Sequence, residues 1–211
     1  QMAMTDQPYC PMPISHQALM IMNFLVIGYG RHGKDTVSEY LANKYNLSFN
    51  SSSWHCADNV CFPALRDKYN YKTVQECFDD RSNHRAEWYD LISAYCDKDH
   101  ARIGREIFSF SNIYCGVRNK REFHAIRNAG LCDFVIWVDR SDHLPAEDKS
   151  SNTLEPWMAD YIIDNNDTLE QLHINVDQLY NYLNFGDYSD ILEELELSAG
   201  VGSQSVSKMS H

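Results

Sequence analysis

Basic residues are scarce in this chain of 211 residues: 18 Lys and Arg stand against 30 Asp and Glu, a net charge of −12. A protein that coats nucleic acid or an acidic membrane needs the opposite balance, so neither partner is expected. Paired cysteines are missing too. Cys10, Cys56, Cys61, Cys77, Cys96, Cys115 and Cys132 are odd in number and show no C-x-x-C spacing. They read as reduced thiols of a cytoplasmic protein, not as a disulfide framework or a zinc site. Long apolar runs are also absent. The run from Ala18 to Ile27 is too short to span a bilayer. Residues 1–20 carry no basic region ahead of an apolar stretch, so no signal peptide is expected.

What is present suits one domain with appendages. Hydrophobic residues make up 44%, enough for a core. Residues 1–21 are polar with three prolines and read as an N-terminal extension. Residues 22–184 form the domain. Residues 185–211, acidic and then Gly/Ser-rich, read as a loose tail.

The chain is organised around Gly28-Tyr29-Gly30-Arg31-His32-Gly33-Lys34-Asp35-Thr36. An apolar run, Phe24 to Ile27, precedes it and reads as a buried strand. Val37, Tyr40, Leu41 and Tyr45 follow at helix spacing. Strand, glycine-rich turn, lysine, hydroxyl and helix together form the context of a phosphate-binding loop. The glycines turn backbone N–H groups inward, the helix aims its positive end at the anion, and Lys34 reaches the β- and γ-phosphates. A glycine turn without a ligand would leave Lys34 unexplained, because a cation at a helix start opposes the dipole.

Gly28-x-Gly30-x-x-Gly33 also satisfies the dinucleotide fingerprint. That reading needs an acidic residue about 20 positions on, to hold a ribose. Between Glu39 and Asp58 there is none; the second strand candidate, Leu47 to Asn50, runs into Ser51-Ser52-Ser53. The triphosphate reading fits better, with one departure: Asp35 follows the lysine, and the hydroxyl, Thr36, comes one later.

An acidic protein that handles phosphates must gather its arginines locally. Arg81, His84, Arg85 and Trp88 stand at i, i+3, i+4 and i+7, and on a helix from Asp79 to Cys96 they share a face. Such a face suits a phosphate with a base nearby; a solvated basic stripe with Trp88 in the core is the plainer alternative. Arg118 follows a third strand candidate, Asn112 to Val117. An arginine beyond the carboxyl end of a strand lies in the ligand crevice of an open α/β sheet. Phe134 to Val138 and Tyr161 to Ile163 are the fourth and fifth strands. Between them Ser141 to Ala159 reads as a long lid-like loop, with Arg140 at its start. A final helix carries Leu169, Leu172, Val176, Leu179 and Leu183 on one face.

Taken together, these motifs resemble the P-loop nucleoside monophosphate kinases. More narrowly, they resemble the deoxynucleoside monophosphate kinases of tailed bacteriophages, over about residues 22–184. The resemblance is carried by Gly28–Thr36 with its Lys-Asp-Thr, by Cys115-Gly116-Val117-Arg118, and by Ala159-Asp160-Tyr161-Ile162-Ile163-Asp164-Asn165 with Leu169-Glu170. Dephospho-coenzyme A kinases share this last ending. The lid departs from adenylate kinases in having few basic residues, Arg140 and Lys149.

The resemblance implies an α/β, three-layer P-loop NTPase fold with a five-stranded parallel sheet flanked by helices. It implies transfer of the γ-phosphoryl of ATP to a (deoxy)nucleoside monophosphate, with Mg²⁺, in a cytoplasmic monomer or homodimer (host cytoplasm for a viral source). On that reading Gly28, Gly30, Arg31, His32, Gly33, Lys34, Asp35 and Thr36 hold the donor. Asp35 and Thr36 stand near the metal. Ser51, Ser53, Arg81, Arg85, Trp88 and Arg118 meet the acceptor. Lys34, Arg118 and Arg140 stabilise the charge in transfer. For Ser51 and Ser53 an ordinary turn role is an equal alternative. Three other functions stay open: a kinase for another small phosphate-bearing acceptor such as dephospho-coenzyme A, a non-catalytic ATP-binding regulator, and an interaction protein with a relic loop.

Overall fold

The computed structural model describes residues 22–185. The extension 1–21, and the tail beyond Phe185, lie outside the described residues.

Five parallel strands, β1 (Phe24–Ile27), β2 (Phe49–Ser51), β3 (Ile113–Cys115), β4 (Phe134–Asp139) and β5 (Tyr161–Asp164), form one sheet in the order β2-β3-β1-β4-β5. β1 lies at its centre, Phe24 in register with Ile113 on one side and Phe134 on the other. All four residues of β1 are buried, as expected of a parallel strand covered on both faces. Alternate side chains serve opposite layers. Phe24 and Val26 join Val37 and Leu41 of α1 (Lys34–Tyr45) and Leu172, Val176 and Tyr180 of α8 (Leu169–Phe185). Leu25 and Ile27 join Ile103 and Ile107 of α6 (Arg102–Phe108), and Phe123 and Ile126 of α7 (Lys120–Asn128). Each such side chain, fully buried, contributes ~1.5–3 kcal/mol. The expected three-layer α/β fold with a five-stranded parallel sheet is the one observed.

The chain leaves β1 for β2 on one side and crosses over β1 from β3 to β4 on the other. A crevice opens at the carboxyl ends of strands where the order reverses in this way. The segments that follow β1, β3 and β4 all meet there.

The structure corrects two local expectations. Trp54 to Lys72, read as mixed, is mostly helical: α2 (Ser52–Cys56), a π-helical turn over Ala57–Cys61, and α3 (Phe62–Tyr69). Pro63 sits in the first turn of α3, where its missing N–H costs no hydrogen bond. The helix expected from Asp79 to Cys96 is broken. α4 (Val74–Asp79), capped by Thr73 accepting from the Glu76 N–H at 3.2 Å, passes into a 3-10 turn over Asp80–Ser82. α5 (Arg85–Cys96) starts afresh. Ala57, Val60, Cys61, Leu65, Cys77 and Trp88 form a third core cluster. It holds these helices together as a wall beside the sheet.

Candidate phosphate-transfer site

The glycine loop joins β1 to α1 by a backbone path that only certain residues follow. Gly33 is the N-cap of α1 at φ +95°, and a Cβ there would lie 2.4 Å from Asn165 Nδ2. Arg31 adopts φ +64° and is exposed. Among the described residues no side chain caps α1. Its first-turn N–H groups therefore suit an outside anion.

Lys34 is buried at the head of this helix, its ammonium donating to the Tyr29 carbonyl at 2.6 Å. Burial lowers its pKa, and the nearby Arg118 charge adds to that. A buried ammonium beside a guanidinium is poised to gain from an anion that neutralises both.

Two asparagines brace the loop from behind. Asn152 Nδ2 donates to the Gly28 carbonyl at 3.1 Å, and Asn165 Nδ2 to the His32 carbonyl at 2.9 Å. Both are buried. His32 is buried as well, and its Nδ1 accepts the Arg140 backbone N–H at 3.0 Å, which ties the loop to the end of β4. Burial lowers the His32 pKa, in keeping with a neutral ring whose Nδ1 is free to accept.

Across from the loop lies a cleft of about 190 Å³. Its polar wall is Ser52, Ser53, Arg81, Arg118, Asn119 and Glu122; Trp88, Ile92 and Ile103 supply apolar surface. Arg81 is held in shape: Nη1 donates to the Phe78 carbonyl at 2.6 Å, and the guanidinium lies 3.8 Å from the Phe78 ring centroid. Trp88 is buried, with an indole N–H that has no partner among the described residues. Asn119 caps α7 by accepting the Glu122 N–H at 2.8 Å, and the Tyr114 hydroxyl donates to Glu122 at 2.5 Å. Burial raises the Glu122 pKa, against the pull of the Tyr114 hydroxyl and of the Asn119 amide, which donates to its carboxylate at 3.3 Å.

Three sequence expectations change here. Arg85 is exposed and absent from the cleft wall. The 3-10 turn breaks the helix that would have aligned it with Arg81, and His84 instead pairs with Asp80 at 3.0 Å and stacks on Tyr69. Ser51 is outside the wall too; its hydroxyl caps α2 by accepting the Trp54 N–H at 3.2 Å. Arg140, expected to stabilise the charge in transfer, is tied to the segment after β5. Its Nη1 donates to the Asn165 carbonyl at 2.8 Å, which makes it part of the bracing behind the loop.

Asp35 and Thr36 are exposed on the first turn of α1. Asp35 Oδ1 accepts only a weak bond, from the Cys115 thiol at 3.5 Å. Burial pushes that thiol's pKa up, so it stays protonated. Among the described residues no three His, Cys, Asp or Glu side chains form a ready metal site. One free carboxylate and one hydroxyl fit Mg²⁺, which keeps waters and takes its remaining ligands from phosphates.

Sequence reasoning missed Glu147, Asn152 and Asn165. Glu147 carries no motif, but it meets both the loop and the cleft. Its Oε1 accepts Arg118 Nη1 at 2.9 Å and lies so close to Gly30 that a Cβ added there would be 2.6 Å away. Among the described residues no helix is long and apolar enough to cross a membrane.

No protein family model matches this chain. No curated protein matches its sequence. Among solved structures it is similar to shikimate kinase from Bacteroides thetaiotaomicron, with 16% identity over 77% of this chain and 98% of that one, and a TM-score of 0.44.

Proposed function

We propose that this chain transfers the γ-phosphoryl group of ATP to the phosphate of a small acceptor, a (deoxy)nucleoside monophosphate. The observation that carries the reading is the span of Glu147. One carboxylate lies against Gly30 of the loop and accepts from Arg118 of the cleft. The donor backbone and the acceptor guanidinium are thus about one anionic group apart, the gap a transferring phosphoryl has to bridge.

Phosphoryl transfer to an anionic phosphate needs alignment and charge neutralisation more than a nucleophile or a strong base. The loop N–H groups and Lys34 hold the donor's terminal phosphates. Arg118 and Arg81 hold the acceptor phosphate through charge-assisted bonds. Ser53 and Asn119 add polar contacts, and Trp88 with Ile92 and Ile103 shelters the acceptor's less polar part. Asp35 and Thr36 would hold Mg²⁺, which supplies charge neutralisation at the phosphates when bound. The buried bracing by Asn152 and Asn165 keeps the loop in place without reorganisation during transfer, which is where electrostatic catalysis gains.

The test is a coupled ADP-release assay with ATP and each common ribo- and deoxyribonucleoside monophosphate, and with dephospho-coenzyme A. ADP release that depends on an added monophosphate supports the reading. Release only with dephospho-coenzyme A moves the acceptor class. ATP binding with no turnover on any acceptor would leave a nucleotide-binding regulator.

A further inference from the structure

The stretch from Pro145 to Ser151 is exposed except at Glu147, whose side chain is 23% exposed and turned toward the glycine loop. Its carboxylate accepts from two donors, Arg118 Nη1 at 2.9 Å and Asn152 Nδ2 at 3.3 Å, and lies against the Gly30 backbone. The contact is close. A Cβ on Gly30 would lie 2.6 Å from Glu147 Oε1, so nothing else fits between them. A glycine-loop backbone and a guanidinium are the groups a phosphate would use. A carboxylate and a phosphate cannot both hold them.

We propose that Glu147 is an internal phosphate mimic, a latch that occupies the phosphoryl position and sequesters Arg118 until a polyphosphate displaces it. This rests on the phosphate-transfer reading of the site. Displacement has two consequences at once. It opens the loop to the donor, and it frees Arg118 for the acceptor. Although burial works against it, the Arg118 charge, the adjacent Gly30 backbone and the Asn152 bond hold the Glu147 carboxyl below the usual carboxylate range, so the latch is ionised at neutral pH. Asn152 anchors the latch from behind, because its amide bonds both Glu147 and the Gly28 carbonyl.

The test is calorimetric binding of inorganic tripolyphosphate and of ATP to the full chain, as wild type, Glu147→Gln and Glu147→Asp. Asp148→Asn is the control; Asp148 stands next in the loop, but among the described residues its carboxylate accepts locally, from the Ser150 N–H at 2.8 Å. Removing competition for charge-assisted bonds should tighten tripolyphosphate binding on the order of tenfold in Glu147→Gln. Glu147→Asp, too short to span loop and guanidinium, should tighten it less, and Asp148→Asn should match wild type. Arg118 should also react faster with phenylglyoxal in Glu147→Gln, read by peptide mass. Equal tripolyphosphate affinity in wild type and both Glu147 variants overturns the latch alone. Failure of every form to bind tripolyphosphate or ATP overturns the phosphate-site reading and the latch with it.

Discussion

All of the loop that would face the donor phosphates comes from one stretch, Gly28 to Thr36. The cleft proposed for the acceptor takes its wall from α2, the 3-10 turn at Asp80–Ser82, α5, α6 and the segment from Gly116 to Glu122. The loop depends on local backbone geometry and is braced by two buried asparagines from far along the chain. The cleft depends on how a separate helical cluster docks beside the sheet. A contiguous site tolerates drift in the surrounding helices but not a change in its own backbone. An assembled site tolerates change at any one position but depends on every element being in place. Donor chemistry should therefore fail sharply on single substitutions, and acceptor chemistry in steps.

The largest effect is expected at Lys34. Lys34→Ala should lower turnover on the order of 10²-fold or more, since a preorganised charge at the transferring group is lost. The circular dichroism spectrum should be unchanged. Turnover within a few-fold of wild type would break the donor half of the comparison.

Gly33→Ala comes next. The added Cβ meets Asn165 Nδ2 at 2.4 Å, and φ +95° is strained for any L side chain. A cost of about 1–2 kcal/mol in the loop should raise the KM for ATP roughly tenfold and leave the monophosphate KM nearly unchanged. Steady-state kinetics with each substrate varied in turn would show the split. Parallel rises in both constants would mean that the loop and the cleft are not independent.

Arg118→Lys and Arg81→Lys probe the other side. Lysine keeps the charge and loses the fork. The monophosphate KM should rise up to about tenfold for each, as one charge-assisted bond is lost, with no rise in the KM for ATP. A rise in the ATP constant instead would assign these arginines to the donor.

The smallest effect is expected at Arg85 and Ser51. Arg85→Ala should change both KM values less than about twofold, because an exposed residue away from the site is close to neutral. Ser51→Ala should lower the melting temperature slightly, through the lost cap on α2, at about 1 kcal/mol, with kinetics unchanged. A large rise in the monophosphate KM of Arg85→Ala would return Arg85 to the cleft.

The contrast also accounts for what could be read in advance. The glycine loop was legible because its determinants are neighbours in the chain. Glycines at turn positions, a lysine at the helix start and an apolar run before them follow from short-range sterics and dipoles. The strands were legible for a similar reason: runs such as Phe134 to Val138 are apolar throughout because both faces of a parallel sheet are covered. Arg118 could be placed because strand ends and ligand crevices coincide in such sheets.

Arg81 and Trp88 were found through a helix face that does not exist. Both reach the cleft wall because a 3-10 turn and a new helix happen to bring them there. The same break took Arg85 away. Nothing local to Glu147 marks it, since Pro145 to Ser151 is an exposed polar loop like many others. Its role comes from partners 29 and 5 positions away, Arg118 and Asn152, and from Gly30 far earlier in the chain. Asn152 and Asn165 are likewise ordinary loop residues until their amides meet the carbonyls of Gly28 and His32, 124 and 133 positions earlier.

The sequence by itself determined the parallel sheet, the glycine loop and the lysine within it, because short-range propensity and apolar patterning are properties of neighbours. Only the tertiary structure decided which arginines meet, which carboxylate stands between them and what braces the loop. Those bonds join groups whose separation depends on the packing of several elements at once, and no stretch of the chain contains that information alone.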